Sequence, residues 1–155
     1  MTFHIGPLAA AHAGEALTVQ RAAYVSEAQH YDAPHIPPLT ETLDELRGDL
    51  MSGVLALGAW VGSRLAGSVR GRVDGARMEI ARFSVAPDLQ GQGIGRALLV
   101  AVEAAAPDGI RVFWLITGAE SEVNLRLYRK AGYEVVSTST DAVGVAMVVL
   151  EKEIN

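Results

Sequence analysis

The 155-residue sequence contains no cysteine. This excludes disulfide bonds, thiolate metal sites and a cysteine nucleophile, and it is consistent with a reducing compartment. Basic residues are also scarce: the sequence has 13 Lys and Arg against 18 Asp and Glu, which gives a net charge of −5. Nucleic-acid binding without sequence preference depends on a basic field. We therefore expect no nucleic-acid partner.

Long hydrophobic runs are missing too. The longest, at residues 54–61 and 143–150, are shorter than the ~20 residues that cross a bilayer. The first residues lack the pattern of a signal peptide, so we expect a cytoplasmic protein that does not bind membranes. No spacing of metal-ligand residues is present, and we expect no metal. The length and the 50% hydrophobic content predict one domain over residues 1–155.

Hydrophobic periodicity and turn residues predict the order β-α-α-β-β-β-α-β-α-β-β. Three prolines at 34, 37 and 38 argue against a helix within 30–39, and Thr40 is predicted to cap the second helix. The predicted strands are 3–8, 54–61, 64–73, 77–85, 111–117, 133–139 and 143–154. The predicted helices are 15–29, 40–51, 93–106 and 121–131.

A glycine-rich loop joins a predicted strand to a predicted helix in the centre of the chain. It contains Gly91, Gly93 and Gly95, and Arg96 follows. Glycine allows positive φ and close approach of a ligand. The first turn of a helix offers unpaired N–H groups at the positive end of its dipole, where Arg96 adds a cation. The combination predicts a site for an anion such as a pyrophosphate.

The glycine spacing differs from that of two common nucleotide-binding motifs. No Gly-Lys-Ser/Thr follows, as a Walker A loop would require, and the third glycine of G-x-G-x-x-G would fall at Arg96 or Leu98. A nucleotide-binding domain is therefore an alternative, but the sequence lacks the residues that define the two motifs. A strand-to-helix connection that binds no ligand is the structural alternative.

The string from Val85 to Leu99 resembles the acetyl-CoA signature of the GNAT superfamily of N-acetyltransferases, Gln/Arg-x-x-Gly-x-Gly/Ala. Gln90, Gly93 and Gly95 occupy its fixed positions, and the element order resembles the GNAT fold over nearly the whole chain. The resemblance implies an α+β protein with a three-layer α/β/α fold and a mixed, mostly antiparallel, splayed central sheet. It also implies acetyl-CoA as co-substrate and makes a homodimer a reasonable expectation.

In this family the strand before the loop binds the pantetheine arm, and the loop binds the pyrophosphate. The resemblance therefore implies pantetheine contacts from the backbone of Phe83, Ser84 and Val85. It implies pyrophosphate contacts from the backbone N–H groups of Gln90, Gly91, Gln92, Gly93, Ile94, Gly95 and Arg96.

A second motif lies on the helix predicted at 121–131. Residues 127–133 resemble the family's Leu-Tyr-x-Lys-x-Gly-Phe/Tyr ending. This implies that Leu127 and Tyr128 contact the cofactor and that Tyr128 protonates the departing thiolate. A tyrosine packed at a helix end is the structural alternative. Many members carry asparagine where this chain has Ser121. The contact with the pantetheine is therefore expected either from Asn124, with Ser121 capping the helix, or from Ser121 itself.

Glu79 is the candidate general base. An alkylammonium must lose a proton before its nitrogen can attack a thioester, and some GNAT members place a base at this position. Glu79 shares parity with Ala81, Phe83 and Val85, so a regular strand would project all four from one face. A solvated or salt-bridged glutamate is the alternative interpretation.

The acceptor is expected to bind near the proline-rich segment, where His30, Tyr31, Asp32 and His35 lie. The predicted function is transfer of an acetyl group from acetyl-CoA to a primary amine. Because cysteine is absent, direct attack in a ternary complex is favoured over an acyl-cysteine intermediate. The alternative is a non-catalytic acyl-CoA-binding sensor or regulatory module.

Overall fold

The computed structural model describes residues 1–154. The predicted order of strands and long helices is confirmed, with the addition of one short helix and two 3-10 turns, Ala10–His12 and Pro87–Leu89. The strands are β1 (His4–Pro7), β2 (Leu55–Val61), β3 (Arg64–Asp74), β4 (Arg77–Val85), β5 (Val112–Gly118), β6 (Glu134–Thr140) and β7 (Ala146–Glu153). The helices are α1 (Ala13–His30), α2 (Pro37–Thr40), α3 (Leu43–Met51), α4 (Ile94–Ala104) and α5 (Glu122–Lys130).

The proline-rich segment departs from the prediction in two respects. The exclusion of helix from 30–39 is wrong at its end, because α2 begins at Pro37. A proline in the first turn lacks only an N–H that would be unpaired anyway. Thr40 is not the cap of the next helix. Thr42 caps α3 instead, accepting a hydrogen bond from the Glu45 N–H at 3.1 Å while its own N–H donates to the Glu45 carboxylate at 2.9 Å.

The seven strands form one sheet in the order β1-β2-β3-β4-β5-β7-β6. All neighbours are antiparallel except β4 and β5, which run parallel. The parallel pairing covers only Arg77 with Val112, Met78 with Phe113, and Glu79 with Trp114. Beyond Glu79 the two strands separate. The predicted mixed, mostly antiparallel, splayed sheet is confirmed.

Helices pack on both faces of the sheet. On one face, α4 and α5 cover the largest buried cluster, which contains Val69, Met78 and Leu98. On the other face, α1 and α3 cover a smaller cluster around Leu17 and Leu46. Removal of this apolar surface from water is the main stabilising contribution. None of the helices within residues 1–154 is long and apolar enough to cross a membrane.

A β-bulge interrupts β4 just before the glycine-rich loop. Ser84 pairs with Ser68 and Ala81 pairs with Arg70, so Arg82 and Phe83 together oppose one residue of β3. Arg82 has φ of 51°. The extra residue shifts the alternation of side chains. The prediction that Glu79, Ala81, Phe83 and Val85 share one face is therefore wrong, and Phe83 packs against the α4–α5 cluster instead.

A buried arginine ties β3 to the helices of the α1–α3 face. The Arg70 side chain is 3% exposed and forms ion pairs with Glu41 at 2.8 Å and Asp49 at 2.9 Å. Gln20 of α1 accepts a further hydrogen bond from it at 3.0 Å. Glu41 also pairs with Arg82 at 3.3 Å, so this cluster fixes the bulge in β4 against α1.

The pKa of Glu41 predicts an acid-sensitive part of the stability. Burial alone would raise this pKa, but hydrogen bonds from Arg70 and Gln20 lower it to about 2. Stabilisation by the ionised form is complete above the ordinary value of about 4.5 and is lost as the pH falls towards 2. Glu41→Gln should lower the free energy of unfolding at pH 7 by about 3 kcal/mol, because it leaves a buried cation short of a partner.

Urea denaturation of wild type and Glu41→Gln at several pH values measures this contribution. The difference between the two proteins should shrink as the pH is lowered from 7 to 3. Glu134→Gln, on the exposed strand β6, removes the same charge and should leave the stability almost unchanged. A Glu41→Gln deficit that stays constant with pH would show that the pair does not act through ionised Glu41.

Candidate functional site

A cavity of about 510 Å³ lies where β4 and β5 separate. Its walls come from the end of β4, the loop that leads to α4, the last turns of α1 and the start of α5. Most of the residues predicted to contact a cofactor lie in these walls, namely Phe83, Ser84, Val85, Gln90, Gly91, Gly93, Ile94, Gly95, Arg96, Asn124 and Leu127. Gln92 and Tyr128 are not among the lining residues.

The glycines of the loop serve two different purposes. Gly91 and Gly93 have φ of 76° and 85°, values that side-chain-bearing residues rarely adopt. A Cβ atom at either position would meet no other atom within 4 Å, so the space before this backbone is open. Gly95 allows the Phe83 ring to pack closely against α4, because a Cβ atom at this position would lie 3.2 Å from Cζ of Phe83.

The loop and the first turn of α4 present a row of unpaired donors. No backbone N–H from Gln90 to Arg96 donates to another group within residues 1–154, and the first helical bond of α4 runs from Ala97 N to Gly93 O at 3.1 Å. The first turn of α4 contains no acidic residue. Several N–H groups at the positive end of a helix, with Arg96 beside them, fit an anion with several oxygens, such as a pyrophosphate.

Tyr24 of α1 joins the helix to the bulge of β4. Its hydroxyl donates to the Phe83 carbonyl at 3.0 Å, so that backbone oxygen already accepts one hydrogen bond. Burial, and next the charge of Glu27, raise the pKa of Tyr24 to about 12, against smaller opposing effects of Arg82 and Arg70. Tyr24 is therefore a neutral donor at physiological pH.

Tyr128 lies behind the cavity wall, in the core between α5 and the sheet. Its ring contacts Phe83 and Tyr133 edge to face, at centroid distances of 5.9 and 6.1 Å. Burial, and then the nearby Tyr24 and Glu27, raise its pKa far above the ordinary value. No buried polar side-chain atom within residues 1–154 lacks a partner, and no described group bonds the Tyr128 hydroxyl. This oxygen is therefore not fully buried and keeps a small solvent-accessible area.

A carboxylate that the sequence analysis missed faces the same cavity. Glu27 of α1 lines it, and its Oε1 accepts from Ser121 Oγ at 2.9 Å and from Asn124 Nδ2 at 3.1 Å. The Ser121 side chain is thus engaged with α1 and does not cap α5, although Ser121 is the N-cap residue. Tyr24, Glu27 and Tyr31 stand at i, i+3 and i+7, a spacing that would have placed them on one helix face.

Glu79 lies away from this cavity. It sits on the β4 face opposite to Phe83, beside Arg72 and Arg82, and it is half-buried. Burial raises its pKa, and the two arginines oppose this effect. The proposed base is therefore not brought into contact with the residues that line the cavity.

The predicted acceptor residues divide between two cavities. His30 and Tyr31 line the main cavity at the end of α1. Asp32 and His35 line a second cavity of about 380 Å³, where Tyr31 and residues 143–146 also lie. Across the described part of the chain, no group of three or more His, Asp or Glu residues is arranged to hold a metal ion.

Solved structures of several acetyltransferases share this architecture. The PaiA N-acetyltransferase from Thermoplasma acidophilum in complex with coenzyme A has a TM-score of 0.81 at 21% identity, covering 99% of this chain and 100% of that one. The ribosomal-protein-S18-alanine N-acetyltransferase from Escherichia coli has a TM-score of 0.79 at 16% identity, covering 99% and 95%. YncA from Salmonella typhimurium, with its cofactor acetyl-CoA, has a TM-score of 0.75 at 17% identity, covering 100% and 95%.

This chain thus shares its fold with known acetyltransferases, and its glycine-rich loop fits an anion. The profile of the acetyltransferase (GNAT) family matches residues 20–133, which is most of the chain. The chain belongs to the acetyltransferase (GNAT) family. Comparison with curated proteins gives no match.

Proposed function

We propose that this protein, as a single domain, transfers the acetyl group of acetyl-CoA to a primary amine by direct attack in a ternary complex. The observation that carries the proposal is the row of unpaired N–H groups from Gln90 to Arg96, next to a cavity that opens between β4 and β5. The structural relatives solved with coenzyme A or acetyl-CoA support this choice of donor.

The donor would be held in two parts. The loop N–H groups and Arg96 would bind the pyrophosphate of the co-substrate. The backbone of Phe83, Ser84 and Val85, with Leu127 across the cavity, would position the pantetheine arm. Asn124 keeps its carbonyl oxygen for this arm while its Nδ2 donates to Glu27.

Tyr128 is the proposed proton donor. A tyrosine hydroxyl is protonated throughout the neutral range, as a general acid must be. Burial raises the pKa of Tyr128, which makes it a weaker acid than an exposed tyrosine, so the developing thiolate must supply the driving force for the transfer. The amine nitrogen forms the C–N bond as the C–S bond breaks, and the sulfur takes the proton of Tyr128. Of the two protons that an alkylammonium loses, one leaves through the base and the other returns through water to Tyr128.

Glu79 stays the proposed base. Because it does not line the cavity, the proton would have to reach it through a chain of water molecules. Burial raises its pKa, which makes the carboxylate a stronger proton acceptor. Since the base must be ionised, kcat should fall as the pH drops through this raised pKa. Glu79→Gln should lower kcat at least about tenfold and remove this acidic limb.

The pH dependence of kcat for wild type and Glu79→Gln tests this assignment. Glu134→Gln serves as the matched control for loss of one charge and should retain the wild-type profile. If Glu79→Gln keeps both kcat and the acidic limb, another group takes the proton and Glu79 is a structural residue.

A further inference from the structure

Glu27 differs from most half-buried carboxylates of this protein in what surrounds it. Glu41 and Asp49 pair with arginines, and Glu103 pairs with Lys152. Within residues 1–154, no lysine or arginine forms an ion pair with Glu27. Its donors, Ser121 and Asn124, are both uncharged. The carboxylate is thus held in place without a balancing cation.

A chain of hydrogen bonds fixes the direction in which this carboxylate points. The Glu120 N–H donates to the Tyr31 hydroxyl at 2.8 Å, and the Tyr31 and Ser121 hydroxyls are 2.9 Å apart. Ser121 in turn donates to Oε1 of Glu27. All the bonds to Glu27 reach Oε1, and Oε2 has no partner among the described residues. One carboxylate oxygen is therefore available to a ligand in the cavity.

The position of Glu27 also relates it to the proposed chemistry. Its charge contributes to the raised pKa of both Tyr24 and Tyr128, which places it within electrostatic reach of both hydroxyls. Among residues 1–154, Glu79 likewise forms no ion pair, but it does not line the cavity. A cation bound to Glu27 would lie in the cavity that the co-substrate is proposed to enter.

We propose that Glu27 is the specificity-determining residue that binds the acceptor as a protonated primary alkylammonium before reaction. This inference rests on the proposed acetyl transfer. The ammonium would donate to Oε2, while Ser121 and Asn124 keep the carboxylate oriented. Glu27 therefore acts on acceptor binding, and the proton leaves afterwards.

The test compares two ligands that differ mainly in charge, benzylamine and benzyl alcohol, titrated by calorimetry into protein saturated with coenzyme A. A hydrogen-bonded ion pair predicts that wild type binds benzylamine at least tenfold more tightly than benzyl alcohol. Glu27→Gln, which has nearly the same shape, should abolish this preference and leave the affinity for acetyl-CoA within about twofold. Glu27→Asp keeps the charge but shortens the side chain, and should retain part of the preference.

Glu134→Gln, on exposed strand β6 and outside the cavity lining, should behave as wild type. The inference is overturned if wild type shows no preference for benzylamine, or if Glu27→Gln keeps it. Thiol release from acetyl-CoA in the presence of benzylamine, measured on the same wild-type protein, separates this result from the fate of the proposed function. A preserved preference, with no thiol release from any primary amine of a panel, contradicts acetyl transfer alone. Turnover without a preference contradicts the role of Glu27 alone.

Discussion

Gly93→Asp should abolish detectable acetyl-CoA binding, with a rise in Kd of at least about 100-fold, equivalent to about 2.7 kcal/mol. Gly93 is the N-cap of α4, with φ of 85°, and a Cβ atom there would project into open space beside the unpaired N–H groups. The new carboxylate would occupy the anion site and bond these donors itself, as aspartate does at helix N-caps. Calorimetric titration with acetyl-CoA measures the effect.

Two controls separate loss of the site from loss of the fold. Gly93→Asn has a similar shape without the charge, and should weaken binding less than Gly93→Asp. Gly109→Asp places the same side chain on another glycine of positive φ, 93°, outside the cavity, and should bind acetyl-CoA normally. Normal binding by a folded Gly93→Asp protein would show that the cofactor binds elsewhere.

Tyr128→Phe should lower kcat about 100-fold, the lower range for loss of a general acid, and leave the Kd of acetyl-CoA within about twofold. The ring would keep its edge-to-face contacts with Phe83 and Tyr133. Because no described group bonds the hydroxyl, its removal should cost little stability. Steady-state kinetics and calorimetric titration on the same preparation provide the two measurements.

Tyr133→Phe is the matched control for this variant. The Tyr133 hydroxyl donates to Glu103 at 2.7 Å, so its removal should lower the stability by about 1 to 2 kcal/mol and leave kcat unchanged. The opposite pattern, with kcat reduced by Tyr133→Phe and unaffected by Tyr128→Phe, would remove Tyr128 as the proton donor.

Periodicity and turn residues were sufficient for the arrangement of elements. They failed where a choice depended on contacts between distant segments. Thr40 and Thr42 are both plausible caps, and only the reciprocal bonds between Thr42 and Glu45 decide for the later one. No glycine marks the bulge at Arg82–Phe83 in the sequence. The bulge is held by the ion pair between Arg82 and Glu41, which is distant in sequence.

The same distinction applies to the candidate site. The residues from Phe83 to Arg96 are contiguous, so a sequence motif could identify them together. Glu27 and Ser121 are separated by more than half the chain and meet only because α1 packs beside the start of α5. Pairwise contacts of this kind leave no local pattern. This is why the sequence could single out the residues proposed to bind the donor, whereas the residue proposed to bind the acceptor was found only from the structure.

Glu27 and Glu79 are proposed to have separate roles, in binding the acceptor and in removing its proton. The two carboxylates lie in different places, one in the cavity and one on the opposite face of β4 from Phe83. If Glu27 binds the cation and Glu79 receives its proton, the variants should separate, with Glu27→Gln acting on acceptor affinity and Glu79→Gln acting on kcat and its pH dependence.

The most direct test of the central claim is the amine-dependent release of free thiol from acetyl-CoA by the purified protein, across a panel of primary amines, with the product identified by mass spectrometry. If the protein transfers acetyl groups to amines, thiol should appear only when an acceptor amine is present, and in equal amount to the N-acetylated amine. Tight binding of acetyl-CoA without thiol release for any amine would contradict it and would favour a non-catalytic acyl-CoA-binding module.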